Sequence, residues 1–247
     1  MSSCPNTSDA PGRRPRNISR NSGQPFLPRG TGVEQAGWIP MPNWSNMKEN
    51  KGPIDILLVG DSITQQWGSP LDKKPLNAAW KKHFEKYKTI NLGIGGDKTQ
   101  NVLWRLDHGG VEGLEPKLIV LLIGNNNMFF APETGVEAVA DGVKMCSANL
   151  RDKFPKSDLI VVKVFPAHEP GNKFYEDIKK TNAALDPLKL DTDPKVRVLD
   201  LTSEMLQKDG KIKAELFSAD QVHLSEAGYR LYAEKLKPIV EKLLEGK

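Results

Sequence analysis

Residues Leu118 to Ile123 read Leu-Ile-Val-Leu-Leu-Ile, six apolar side chains in succession, and this run constrains the fold more than any other segment. A strand with one wet face alternates apolar and polar residues, whereas a strand covered on both faces has no polar position. Four further short segments read as strands: Ile54–Val59, Thr89–Leu92, Leu159–Phe165 and Val196–Leu199. Helical patterns stand between them. Asn77–Tyr87 spaces Trp80, Phe84 and Tyr87 three and four residues apart, and Thr99–Leu106, Val136–Leu150 and Tyr175–Leu188 follow in turn. Ser225-Glu226 opens a last helix through Leu244, in which Tyr229, Tyr232, Leu236, Ile239, Val240 and Leu243 share one face. This alternation predicts an α/β domain of five parallel strands joined by right-handed crossovers, with helices on both sides.

A chain of 247 residues suits one such domain with a sizeable core. Residues 1 to about 35 are rich in Ser, Asn, Gly, Arg and Pro, and seven of the eighteen prolines lie at or before Pro42. That composition predicts a disordered tail ahead of a domain spanning residues 36–247, with Trp38 to Met47 opening the domain as a loop and short helix. The net charge of +4 is concentrated in the tail, where Arg13, Arg14, Arg16, Arg20 and Arg29 lie. The remainder is close to neutral, which argues against a nucleic-acid partner. Two cysteines, Cys4 and Cys146, cannot form a disulfide framework, and no Cys/His spacing suits zinc. No cofactor is expected. No apolar run reaches membrane-spanning length. The Arg13-Arg14 pair lacks the apolar segment of a twin-arginine signal, so the chain reads as cytoplasmic, and an exported protein with its signal removed would look the same. A homodimer is compatible with all of this.

The first strand runs straight into Gly60-Asp61-Ser62. A hydroxyl is thereby delivered to the carboxyl end of a buried strand, where open α/β sheets bind their ligands. Ser62 has two readings, a helix N-cap or a nucleophile. Asp220-Gln221-Val222-His223 gives weight to the second, because an imidazole can take the serine proton and a carboxylate three residues earlier can orient the ring. His168, just after the fourth strand, is the alternative base, while His83 and His108 read as surface residues. Oxyanion donors are expected from the Ser62 N–H, from Gly96 in the turn Gly93–Asp97, and from the Asn126 amide. Asp61, Asn125, Met128 and His168 are the candidate substrate contacts, Met128 belonging to the apolar cluster Met128-Phe129-Phe130-Ala131, which either closes off an acyl pocket or packs beneath the next helix. Nucleotide readings of the glycine turn fail: Asp97 separates Gly96 from Lys98-Thr99, and Lys98 stands where a dinucleotide fingerprint needs its third glycine.

Four ordered blocks, Gly60-Asp61-Ser62, Gly95-Gly96-Asp97, Gly124-Asn125-Asn126 and Asp220-x-x-His223, resemble those of the SGNH (GDSL-type) hydrolases. The run from Asn91 to Asp97, continuing through Val102-Leu103-Trp104-Arg105-Leu106, is most similar to the family branch of platelet-activating-factor acetylhydrolase catalytic subunits and bacterial acetylesterases. The resemblance covers about residues 50–245. It implies a three-layer α/β/α sandwich of flavodoxin-like type, Ser62 as nucleophile, Asp220 and His223 completing a triad, Gly96 and Asn126 as oxyanion donors, and no metal. Asn125 replaces the threonine usual in the third block, and Ala167-His168 stands where relatives often carry an arginine. The expected activity is hydrolysis of short-chain, acetyl-type esters of a carbohydrate or other small molecule. A lysophospholipase or thioesterase on the same triad, and a flavodoxin-like binding module without catalysis, are the alternatives.

Overall fold

The computed structural model describes residues 51–68, 76–108, 111–130 and 134–246. The tail expected over residues 1–35, the domain boundary near residue 36, the segment Trp38 to Met47, and Ala131 lie outside them.

Five parallel strands are present: β1 (Gly52–Gly60), β2 (Thr89–Gly93), β3 (Leu114–Leu122), β4 (Asp158–Val162) and β5 (Val196–Leu199), in the order β2-β1-β3-β4-β5. The long apolar run is the centre of the sheet, as expected. Leu118, Val120 and Leu122 face one side, and Ile119, Leu121 and Ile123 the other.

On the first face pack α1 (Ser62–Gln65), α2 (Ala78–Phe84), α7 (Thr202–Met205) and α8 (Glu226–Glu245), through Ile63, Trp67, Trp80, Phe84, Tyr229, Tyr232, Leu236 and Val240. Trp67 is the hub, with its ring centroid 5.3 Å from Trp80 and 4.6 Å from Tyr229. On the second face lie α3 (Thr99–Asp107), α5 (Val136–Lys153) and α6 (Lys173–Leu185), contributing Val102, Leu106, Val143, Cys146, Leu150 and Leu185. The molecule is therefore a three-layer α/β/α sandwich in the flavodoxin-like strand order. Cys146 is fully buried there, and burial pushes its thiol up to about 12, where it is inert as a nucleophile.

Helix ends follow local capping chemistry. Asn77 accepts the Ala79 N–H at 2.9 Å to start α2, and Ser225 accepts the Gly228 N–H at 3.2 Å to start α8. Three short helices escape the periodicity argument, α1, α7 and α4 (Asn125–Phe130), because one turn or little more carries no repeating apolar face. His83, expected at the surface, is half-buried beside the Phe84 ring. Among the described residues, no helix is long and apolar enough to cross a membrane.

The chain leaves β1 for β2 on one side and then returns past β1 to β3 on the other. The carboxyl ends of β1 and β3 consequently diverge, and the segments leaving them border the crevice where such sheets bind ligands. Ser62 follows β1 and Asn126 follows β3.

Candidate active site

Ser62 is the first residue of α1, and the cap is its neighbour: Asp61 accepts the Ile63 N–H at 3.0 Å. The Ser62 hydroxyl is thus free of the capping role that the sequence left open. It bonds instead to His223 Nε2 at 2.8 Å, and His223 Nδ1 bonds to Asp220 Oδ2 at 2.6 Å. A hydroxyl joined to an imidazole that is joined to a carboxylate is the arrangement that makes serine nucleophilic: the ring takes the proton, and the carboxylate fixes the tautomer and stabilises the imidazolium.

The loop carrying Asp220 and His223 is tightly held. Phe217 and Leu224 form an antiparallel bridge, and the Ser218 N–H donates to the His223 carbonyl at 2.7 Å. Asp220 Oδ1 accepts the N–H groups of Val222 and His223, each at 2.9 Å. Burial pushes the Asp220 carboxyl up, but the hydrogen bonds from the His223 ring and from those two amides outweigh it and hold the group below its ordinary value. Gly228 locks the loop to α8, since a Cβ there would lie 2.1 Å from the Leu216 carbonyl oxygen. At the next residue, the Tyr229 hydroxyl donates to the Ile63 carbonyl at 2.7 Å, so the helix that follows His223 grips the residue that follows Ser62.

The glycine turn faces Ser62. Gly96 has φ +84° and open space where a Cβ would stand, and a Cβ on Gly95 would come within 3.7 Å of Ser62 Cβ. Asn126 Nδ2 donates one hydrogen to the Asp97 carbonyl at 3.0 Å, which brings its amide beside Gly96. Among the described residues, no acceptor takes the N–H of Ser62 or of Gly96. These amides and the second Asn126 hydrogen are therefore available to a developing oxyanion.

Asp61 is 1% exposed beneath Ser62 rather than open to substrate, because it serves as the α1 cap. Burial drives its carboxyl up to about 7, against the opposing pull of the Ile63 N–H and the His223 charge, with Asp97 adding to the rise. Between pH 4 and 7 the folded chain holds a proton that the unfolded chain has released, so stability falls as pH rises through that window. Asn caps as well as Asp. Asp61→Asn is therefore expected to raise the melting temperature at pH 8 by an amount worth up to about 4 kcal/mol, with the gain vanishing by pH 4. Melting curves at the two pH values check this, and a gain of equal size at both would refute the buried-charge account.

The other expected contacts are redistributed. Asn125 is 6% exposed and Met128 5%, so neither meets an open surface. Met128 packs with Val139, Val164 and Phe174 and receives the Thr181 hydroxyl on its sulfur, which removes it from an acyl pocket. His168 makes no bond to Ser62. Its N–H donates to the Gln221 carbonyl at 3.1 Å, and its ring meets the edge of Phe174 at 5.6 Å. Both His168 (φ 61°) and Gln221 (φ 57°) adopt the left-handed conformation, so this bond joins two strained turns and braces the loop bearing His223.

Sequence reasoning missed two residues. Arg105 is 5% exposed, and it donates to the Leu92 carbonyl at 3.0 Å and pairs with Asp97 at 2.5 Å, pinning the glycine turn from below. The available signal was a charged residue between Val102 and Leu106 on an apolar helix face. Asn127 caps α3 from a different helix, accepting the Thr99 N–H at 3.0 Å and donating to Gln100 Oε1 at 2.8 Å. No local pattern signals a cap supplied from elsewhere in the chain. Among the described residues, no group of three or more His, Cys, Asp or Glu side chains could hold a metal ion.

Known proteins resemble this chain in sequence and in fold. Residues 58–231 match the model of the GDSL-like lipase/acylhydrolase family. The platelet-activating factor acetylhydrolase IB subunit alpha2 of Homo sapiens and that of Rattus norvegicus are each 32% identical over 192 residues, covering 77% of this chain and 78% of the relative. A GDSL-like lipase from Bacteroides thetaiotaomicron superposes with a TM-score of 0.62 at 20% identity, over 83% of this chain and all of the other (100%). The acetyl xylan esterase AlAXEase does so with a TM-score of 0.60 at 21% identity, over 76% of this chain and 100% of its own. These two are likenesses of fold. A catalytic triad and an oxyanion hole are features of the family. By its matched sequence and its fold, the chain belongs to the GDSL-like lipase/acylhydrolase family of ester-hydrolysing enzymes.

Proposed function

We propose that the protein is a serine esterase that hydrolyses short-chain, acetyl-type esters of a carbohydrate or other small alcohol through an acyl-enzyme. The observation that carries this is the unbroken hydrogen-bonded line from Asp220 through His223 to Ser62, at 2.6 and 2.8 Å. Ser62 Oγ attacks the ester carbonyl while His223 Nε2 takes its proton. The oxyanion rests on the Ser62 and Gly96 amides and on Asn126. His223 then gives the proton to the departing alcohol and takes one from water; the resulting hydroxide attacks the acyl carbon, and His223 returns the proton to Ser62 Oγ as the acid is released.

A small acyl group is supported by the short walls of the crevice. Only Asp61 separates β1 from α1, and only Ile123 and Gly124 separate β3 from α4, which leaves little chain to build a long acyl channel. The curated relatives are named as acetylhydrolases, and one structural neighbour as an acetyl xylan esterase, which points the same way.

A p-nitrophenyl ester series from acetate to decanoate tests the reading. Acetate is expected to be best, with kcat/KM falling steeply past butyrate, since each methylene left unburied forfeits about 0.8 kcal/mol of binding. An optimum at octanoate or longer, or a Ser62 that no fluorophosphonate labels, would sink it. Asn126→Ala is expected to lower kcat by about 10²–10³ with KM little changed, the cost of one side-chain oxyanion donor. Steady-state kinetics check it, and a rise in KM alone would assign Asn126 to ground-state binding.

A further inference from the structure

Phe129 and Phe130 are 58% and 60% exposed, although α4 buries Asn125, Asn127 and Met128. Large aromatic rings held in water mark a surface that takes a partner. They stand three and four residues beyond Asn126, and so share its side of the helix. Asn126 itself reaches the Asp97 carbonyl beside Gly96. From Phe129 the rings continue as a row: Phe130 at 4.8 Å, Phe174 at 5.7 Å, and His168 at 5.6 Å beyond Phe174, each in edge-to-face contact. The row ends on the other side of the chemistry, because the His168 N–H donates to the carbonyl of Gln221, two residues before His223.

We propose that Phe129 and Phe130 form the platform for the alcohol half of the substrate and select alcohols that carry a ring or another flat apolar face; this rests on the esterase reading above. Once the ester oxygen occupies the donors at Ser62, Gly96 and Asn126, the acyl chain and the alkoxy group leave the reacting carbon in different directions. The alkoxy oxygen has to stay within reach of His223 to receive its proton. A row of rings running from the oxyanion helix to the brace of the His223 loop lies along that side. Phenylalanine offers neither hydrogen bond nor charge, so its contribution is stacking and the exclusion of water from an apolar face.

The test compares benzyl acetate with methyl acetate, which share the acyl group and differ in the ring. Phe129→Ser, Phe130→Ser and the double variant are measured beside Phe129→Leu/Phe130→Leu, which retains apolar bulk should the serine variants fold poorly. The double serine variant is expected to lose about tenfold in kcat/KM on benzyl acetate, through KM, with methyl acetate unchanged and the leucine pair in between. An equal loss on both esters, or no change in their ratio, overturns the platform while leaving the esterase intact. A changed oligomeric state with an unchanged ratio would assign the rings to a second copy of the chain and overturns it too. A wild-type protein that hydrolyses p-nitrophenyl acetate but neither of these esters overturns the platform alone, and one that also fails on p-nitrophenyl acetate overturns both readings.

Discussion

Ser62→Ala is expected to lower kcat on p-nitrophenyl acetate by on the order of 10⁴–10⁶, with His223→Ala close behind and the double variant scarcely worse than either. The structure gives the reason for this non-additivity. In the proposed mechanism His223 Nε2 has one task, removing a proton from the hydroxyl 2.8 Å away, and that task disappears when either partner does. Asp220→Asn is expected to cost less, about 10³–10⁴, because the ring is mis-oriented and its charge unsupported while the proton acceptor remains. Asp220→Ala is expected to cost more than Asp220→Asn, since Asp220 Oδ1 also takes the N–H groups of Val222 and His223. Removing both acceptors loosens the loop as well as the ring. Steady-state kinetics on the set of variants decide the matter, and a double variant far below both singles would mean that Ser62 and His223 act independently.

The residues that the structure brings together at this site were largely legible in the sequence, and the reason is physical. A strand buried on both faces can expose functional groups only at its ends, and open α/β sheets bind ligands at the carboxyl ends, so Ile54–Val59 and Leu118–Ile123 point to Gly60-Asp61-Ser62 and Gly124-Asn125-Asn126 without any knowledge of the three-dimensional contacts. The pairing of Asp220 with His223 was legible because three residues of irregular chain keep them close. Contacts between distant segments were not legible. That Asp61 takes the capping role depends on where the first turn of α1 lies, and a four-residue helix leaves no period to read. The place of Met128 was not legible because an apolar cluster beside a polar motif has the same composition whether it faces the core or the crevice. The structure divides the cluster, burying Met128 against Thr181 and leaving Phe129 and Phe130 in water. Arg105 and Asn127 secure the glycine turn and the start of α3 across gaps of 8 and 28 residues, beyond any local rule.

Gly60→Ala is expected to be strongly destabilising. Gly60 ends β1, paired with Gly93 of β2 on one side and Leu122 of β3 on the other. A Cβ built there would lie 2.3 Å from the Leu122 carbonyl oxygen and 2.2 Å from Thr64 Oγ1. The first obstacle is backbone and cannot rotate away, and the second is a side chain buried in the first turn of α1. Relief therefore requires β1 to separate from β3 or α1 to lift from the sheet, and either movement displaces Ser62 from His223. A cost of about 3 kcal/mol or more follows from overpacking against fixed atoms, which for a domain of this size corresponds to a fall in Tm of about 6–12 °C. Gly171→Ala separates this effect from the ordinary penalty of replacing glycine. Gly171 has φ +89° but nothing within 4 Å of the added methyl, so its loss is conformational strain of about 1 kcal/mol, with activity unchanged. Thermal melts and kcat are measured on both variants. Gly60→Ala should lose activity even at temperatures where it remains folded, because α1 carries the nucleophile. Should it instead melt like Gly171→Ala and retain full kcat, the close packing of β1, β3 and α1 would not be what sets the position of Ser62.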